Sequence, residues 1–315
     1  MCQELIRIIL PKRFIGDRLD SAIAEMLPDY SRTKISAWIK SGYALINDQT
    51  FKPKDRVNGF ETVVLKIHQQ DKIKWIPEKI PLNIIFEDES IIVINKPSGL
   101  VTHPGAGNWS GTLANALLGY HSNLSKLDRA GIVHRLDKNT SGLMVVSKNE
   151  KSQKFLVEQL QSHLVEREYS AIVYGSMISG GKIDEAIGRD PKDRVRQSVL
   201  HNGKEAVTHY RLIDRFKSHT NAKVMLETGR THQIRVHLSH IGHPLIGDPM
   251  YGGRVRFPRK ACQELKDELK NFQRHALHSK KLTLTHPETG KSMTWKADLP
   301  DDMQELLNIL RKYDS

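Results

Sequence analysis

Three short stretches carry residue types able to do chemistry together. In GIVHRLDKNTSGLMVV, residues 131–146, Asp137 stands in a tight polar turn between an apolar strand start and a strongly apolar strand. Arg135, two residues earlier, falls on the same side of an extended segment. REYSAIVYG opens a strand with Arg167 and Tyr169, and LETGRTHQIRVH sets Arg230 just after a strand and turn. Brought together, Asp, Arg and Tyr would give an ionised carboxylate, a cation to hold it and an aromatic platform for a base. The competing, purely structural use of Asp137 is an Asx-turn followed by a Thr/Ser turn.

Other chemistries fit less well. In IIVINKPSGLVTHPGAGNWSG the glycines Gly105, Gly107 and Gly111 give G-x-G-x-x-x-G, one residue too long for a dinucleotide fingerprint. That segment reads better as a rigid loop, with Pro97 and Pro104 fixing φ. His232, His237, His240 and His243 crowd into one stretch, yet no HExxH, cysteine pair or carboxylate cluster accompanies them. Arg230 and Arg235 interleave with them, and cations oppose a metal. There is no G-x-S-x-G, and neither Cys2 nor Cys262 has a reactive context.

The elements that must position these residues follow from periodicity. DRLDSAIAEMLPDYS carries Leu19, Ile23, Met26 and Leu27 at helical spacing, with Asp17 as N-cap and Pro28 as stop. Ser31 caps a second helix with Ile35, Trp38 and Ile39 on one face, ending at Gly42. Arg32, Lys34 and Lys40 lie off that face, either solvated or laid against phosphates. Short strands, YALIN and ETVVLKI, follow, and residues 17–68 read as a small α/β module. The polar, proline-interrupted stretch 69–82 suits a linker.

Residues 83–315 form the second domain. Strand-like SIIVIN, GLMVVSK, EYSAIVYG, AVTHYRLI, AKVMLETG and KLTLTH outnumber the helices TLANALLGY, EKSQKFLVEQLQSHLVE and DDMQELLNILRKY. Short connections favour a largely antiparallel mixed sheet flanked by helices, an α+β class. The stretch YGGRVRFPRK, with Arg254 and Arg256, reads as a basic loop able to order on phosphates.

With 48 Lys and Arg against 36 Asp and Glu, the 315-residue chain carries a formal charge of +12, which points to a polyanionic partner, nucleic acid or a membrane surface. The longest apolar runs, such as Ile91 to Ile94, are strand-sized, far short of a membrane span. Glu4 and Arg7 interrupt the apolar N-terminus, which therefore does not read as a signal peptide. Two cysteines build no disulfide framework, and a reduced, cytoplasmic protein is expected.

At these residues the chain resembles the RNA pseudouridine synthases that modify large-subunit ribosomal RNA. The resemblance runs through DRLDSAIAEMLPDYSRTKISAWI, similar to an S4-type RNA-binding domain. It continues through EDESIIVINKPSGLVTHPGAGN, AGIVHRLDKNTSGLMVV, REYSAIVYG, AVTHYR and LETGRTHQIRVHLSHIGHPLIGDPMYGG. It implies an S4-like domain at 17–75 ahead of a pseudouridine synthase fold at 83–315. It implies Asp137 as the catalytic aspartate, Tyr169 stacking on the target base, Arg230 pairing with the aspartate, and Arg135 filling space near the extruded nucleotide. Arg235, in the same motif, is the alternative partner of Asp137.

The reaction so implied needs no cofactor and no metal. The implied partner is 23S ribosomal RNA, at the helix 69 stem-loop, or the assembling large subunit, met by a monomer with no membrane contact. The alternatives are a sister synthase acting on other 23S or tRNA uridines, a non-catalytic S4-type assembly factor, and a metal-dependent hydrolase.

Overall fold

The computed structural model describes residues 3–28, 30, 32–68, 75–105, 107–193 and 195–314, and the chain divides into two compact units, Met1–Lys74 and Trp75–Ser315.

In the first unit, β1 (Gln3–Ile9), β2 (Ala44–Ile46) and β3 (Thr62–His68) form an antiparallel sheet in the order β1-β3-β2. Helices α1 (Leu19–Met26) and α2 (Arg32–Lys40) pack on it. The i, i+4 and i, i+3 spacing puts Leu19 with Ile23, and Ile35 with Trp38 and Ile39, into one core with Leu10, Val63 and Leu65. The unit takes in β1, ahead of Asp17. Arg18, not Asp17, occupies the N-cap of α1, in extended conformation and with no side-chain cap bond. The helix start is held instead by Asp20, buried in the first turn, which accepts from Arg18 at 2.9 Å and from Arg32 at 3.0 Å. The expected Ser31 cap and residues 69–74 of the expected linker lie outside the described residues.

The second unit contains β4 (Ile84–Glu87), β5 (Ile91–Lys96), α3 (Leu113–Tyr120), β6 (Ser141–Ser147), α4 (Glu150–Gln161), β7 (Glu166–Tyr174) and β8 (Gly181–Asp184). A two-stranded ribbon, β9 (Ile187–Arg189) and β10 (Gln197–Val199), precedes β11 (Val207–Arg215), β12 (His219–Leu226) and α5 (Gln233–His240). The chain ends with α6 (Gln263–Asn271), β13 (Leu277–Thr285), β14 (Ser292–Lys296) and α7 (Asp301–Tyr313). The nine-stranded sheet runs β4-β5-β6-β13-β7-β12-β11-β8, with β14 also on β13. Its pairings are antiparallel except β6 with β13, as the short connections predict.

Period-two alternation along the strands supplies two buried faces. Ile92, Ile94, Met144 and Val146 pack with α3 and α5, whereas Ile91, Val93, Leu143 and Val145 pack with Leu156 of α4 and Trp295. Ile172 and Tyr174 meet α6 and α7 through Leu265, Leu269, Leu306 and Leu310. The helix expected to run from 150 to 166 stops at Gln161. His163 adopts φ +58°, and the chain turns so that Val165 is buried and Glu166 opens β7.

The central approach is that of β6 to β13. Gly142 lies so close to Ser279 that a Cβ would come within 2.3 Å of its carbonyl oxygen, and its φ of +114° suits glycine alone. This contact draws together the turn that follows Asp137 and a strand far along the chain.

Candidate active site

Asp137 opens a turn closed by Thr140 N–H donating to its carbonyl at 3.1 Å. The backbone on both sides is tied down. Thr102 Oγ1 donates to Leu136 O at 2.8 Å, and Lys96 Nζ donates to the carbonyls of Pro97, Leu100 and Lys138 at 2.9, 2.9 and 3.1 Å. Thr140 Oγ1 pairs with His275 Nε2 at 2.7 Å, and Ser141 Oγ with His278 Nδ1 at 2.9 Å. Burial pushes both imidazoles down to about 4 and the Lys96 ammonium down to about 7, the latter against the pull of Asp137.

The Asp137 side chain does not serve the turn. Its Oδ2 accepts from Arg235 Nη1 at 2.9 Å, with the carboxylate 15% exposed and the guanidinium side chain 6%. Arg235 belongs to the first turn of α5. Its Nε and Nη2 are both taken by Asp248, at 2.7 and 2.9 Å, and Asp248 Oδ1 also accepts from the N–H groups of Met250 and Tyr251. Burial opposes the charge of Arg235, but the bonds and charge of Asp248, then Asp137, outweigh it and raise its pKa. The same guanidinium lies over the Tyr251 ring, 4.9 Å from its centroid. The Tyr251 hydroxyl meets His232 Nδ1 at 2.9 Å, and His232 Nε2 stands 3.8 Å from Asp137 Oδ2. Burial lowers the pKa of His232, Asp137 acting the other way.

Arg230, expected to pair with Asp137, does not. Its Nε donates to Glu205 O at 2.8 Å and the side chain is exposed at the cleft rim. The reason is the start of α5: Arg230 precedes the helix, while Arg235, inside it, points at Asp137 and Asp248. Tyr169 on β7 is 5% exposed and lines the same cleft of about 560 Å³ as Asp137, Arg135 and Arg230. Arg135 is exposed, and Leu136 between it and Asp137 is buried. His134 accepts from Val145 N–H at 3.0 Å, and burial pushes it down to about 3, so it is neutral.

The remaining expected residues are not among those that line this cleft. Arg254 and Arg256 are exposed in the loop after Tyr251, with Arg256 5.7 Å from the centroid of the Tyr174 ring. Arg32 is held by Asp20, Lys40 is exposed at the end of α2, and the Lys34 side chain lies outside the described residues. The clustered histidines are used separately: His237 pairs with Thr208 and Glu185, and His243 with the Tyr174 carbonyl. Among the described residues, no helix is long and apolar enough to cross a membrane. Sequence reasoning passes over Asp248, whose signal is a lone acid between Ile246 and Pro249 in an apolar turn.

A carboxylate in the turn ahead of β6, held by a buried guanidinium, lines one cleft with a buried tyrosine, an arrangement that fits an enzyme acting on a nucleobase. Residues 90–240 match the RNA pseudouridylate synthase family. The chain is 47% identical over 309 residues to ribosomal large subunit pseudouridine synthase D of Xanthomonas campestris, covering 98% of this chain and 93% of that one. It is 50% identical to the protein of that name from Escherichia coli K12, over 94% of this chain and 91% of the relative. For the Pseudomonas aeruginosa protein the figures are 48%, 96% and 95%. Among solved structures, human RNA pseudouridylate synthase domain containing 4 superposes with a TM-score of 0.56 at 26% identity, covering 73% of this chain and 93% of that one. Human RNA pseudouridylate synthase domain containing 1, at 21% identity and TM-score 0.54, shares the fold. The chain belongs to the RNA pseudouridylate synthase family and is an RNA pseudouridine synthase.

Proposed function

We propose that the protein isomerises uridines to pseudouridine in large-subunit ribosomal RNA, at the helix 69 stem-loop, with Asp137 as the catalytic group. The observation that carries this is the Asp137 carboxylate, unused by its own turn and presented to the cleft by Arg235. The substrate class rests on relatives of about half identity over nearly the whole chain, each named for the large ribosomal subunit.

The reaction breaks the N1–C1′ bond, turns the uracil and rejoins it through C5, with the C5 proton released. The base must first leave its stack, which costs a few kcal/mol. Stacking on Tyr169 recovers about 1–3 kcal/mol of that, and Arg135, exposed at the cleft, takes the vacated space. Asp137 then adds to the sugar or base, or removes the C2′ proton. Either step needs an oriented carboxylate, and the Arg235 bond supplies the orientation. The cleft must also hold free uracil away from water, since hydrolysis would otherwise end the reaction.

The first unit, read as an S4-like domain at 17–75, supplies RNA grip through the exposed Lys40 and its neighbours on α2. Arg254 and Arg256 extend that grip at the catalytic domain. Such contacts are salt-sensitive and carry no base information.

Tritium release from transcript RNA bearing 5-tritiated uridine tests the proposal. Asp137→Asn is expected to bind RNA as the wild type does and to release none; persistent turnover in that variant overturns the assignment.

A further inference from the structure

Three arginines are buried among the described residues: Arg167, Arg235 and Arg274, at 7%, 6% and 8% exposure. Two of them are paired as a buried cation must be. Arg235 grips Asp248 with two nitrogens, and Arg274 grips Asp302 with two, its Nη2 at 2.8 Å. Arg167 is the exception. Among the described residues no carboxylate lies within 4.0 Å of it, and its guanidinium makes one hydrogen bond, from Nη2 to the Glu227 carbonyl at 3.3 Å. Its Nε is shielded from solvent and has no partner.

Its surroundings are built for that side chain. Arg167 and Tyr169 alternate on β7 and both line the cleft, about 6–7 Å apart along one face of the strand. The guanidinium lies against the backbone of residues 227–229, and a Cβ on Gly229 would fall 2.7 Å from Nη1. Glycine at 229 leaves room for the arginine. Arg230, next in the chain, carries the cationic wall to the exposed rim without a carboxylate of its own.

From this geometry we propose that Arg167 binds a phosphodiester of the RNA strand beside the extruded nucleotide, completing its missing ion pair only when substrate is bound. The proposal rests on the reading of the cleft given above, in which Tyr169 meets the target base. Uracil is neutral and cannot balance a buried charge, whereas the phosphates flanking that base can, and the guanidinium fork matches their oxygens.

The test uses the full-length protein, a stem-loop RNA containing the target uridine, and the variants Arg167→Met and Gly229→Ala. Arg167→Met is expected to weaken RNA binding about tenfold or more and to lower the slope of log K against log salt by about one. A neutral methylphosphonate at the linkage flanking the target uridine should weaken binding by the wild type and leave Arg167→Met unaffected. Gly229→Ala, which keeps the arginine but displaces it, should show a similar loss. Because no ion pair is broken, Arg167→Met should melt no lower than the wild type, and inorganic phosphate should raise the melting temperature of the wild type alone. Unchanged affinity and slope in Arg167→Met overturn the proposal. So does a lower melting temperature accompanied by equal methylphosphonate penalties in both proteins. Wild-type turnover on the same RNA is measured in parallel. If it is intact while the Arg167 effects are missing, the phosphate subsite alone fails; if it is absent, the reading of the cleft fails as well.

Discussion

Arg235 meets Asp137 with one nitrogen only, because Asp248 holds the other two on the far side of the guanidinium. The orientation of the Asp137 carboxylate is therefore set by a second carboxylate that does not line the cleft.

Asp248→Asn should accordingly act through Arg235. Breaking one side of a buried ion pair costs about 3–5 kcal/mol, read as a lower urea midpoint. The turnover rate should fall with little change in RNA affinity, since Asp248 touches no substrate. Arg235→Lys keeps the charge but cannot span both carboxylates, and should lose turnover in the same way. A drop in affinity with turnover unchanged, in either variant, contradicts this arrangement.

On the proposed function Tyr169 stacks on the target base, so its ring matters more than its hydroxyl. Tyr169→Phe should retain most pseudouridine formation. Tyr169→Leu should forfeit about 1–3 kcal/mol of base stacking, seen as a fall in kcat/KM on stem-loop RNA. Equal losses in the two variants would instead point to chemistry at the phenol.

Stability should fall on mild acidification. His275 and His278 have folded pKa values of about 4 against an ordinary 6.5, chiefly because they are buried. Between those values the unfolded chain binds the protons and the folded one does not, so stability rises with pH across that window. Their full contribution is present above about pH 6.5 and is lost as pH falls toward 4. Arg235 and Arg274 add to the depression at His275, and Asp137 and Asp248 oppose it. Urea midpoints at about pH 7, 5.5 and 4.5 check this; a flat profile, or one unaltered by His275→Asn, argues against it.

The first unit has a core of its own, with Trp38, Ile35 and Leu65 at its centre, distinct from the clusters behind the cleft. Deleting residues 1–75 should weaken substrate binding and broaden site choice while leaving a cooperative melt of the remainder. Unchanged affinity and site preference in the truncated protein would refute a role in RNA recognition.

Much of this was legible in the chain. The unbroken apolar runs of SIIVIN and GLMVVSK locate the central strands, which are buried on both faces, and the single apolar face of DDMQELLNILRKY gives α7 to the residue. HRLD lies just ahead of β6 and REY inside the first residues of β7, so strongly patterned strands also locate Asp137 and Tyr169. The choice between Arg230 and Arg235 was not legible. It depends on α5, whose residues Gln233 to Leu238 are all buried, leaving no amphipathic stripe. That helix also starts from His232 at φ +58° without a capping side chain, so nothing local marks its first turn. Helix α6 and the short strands β8 to β10 carry too few core residues to announce themselves.

The parallel pairing of β6 with β13 has a consequence for the order in which the protein becomes active. Thr140 and Ser141 reach across about 135 residues to His275 and His278, and Arg235 waits on Asp248. A growing chain that has already emitted Asp137 and Tyr169 still lacks the strand that fixes them. Contacts of such span form late in folding. On the proposed function, competence waits for β13, and a chain stalled before that strand is expected to stay inert.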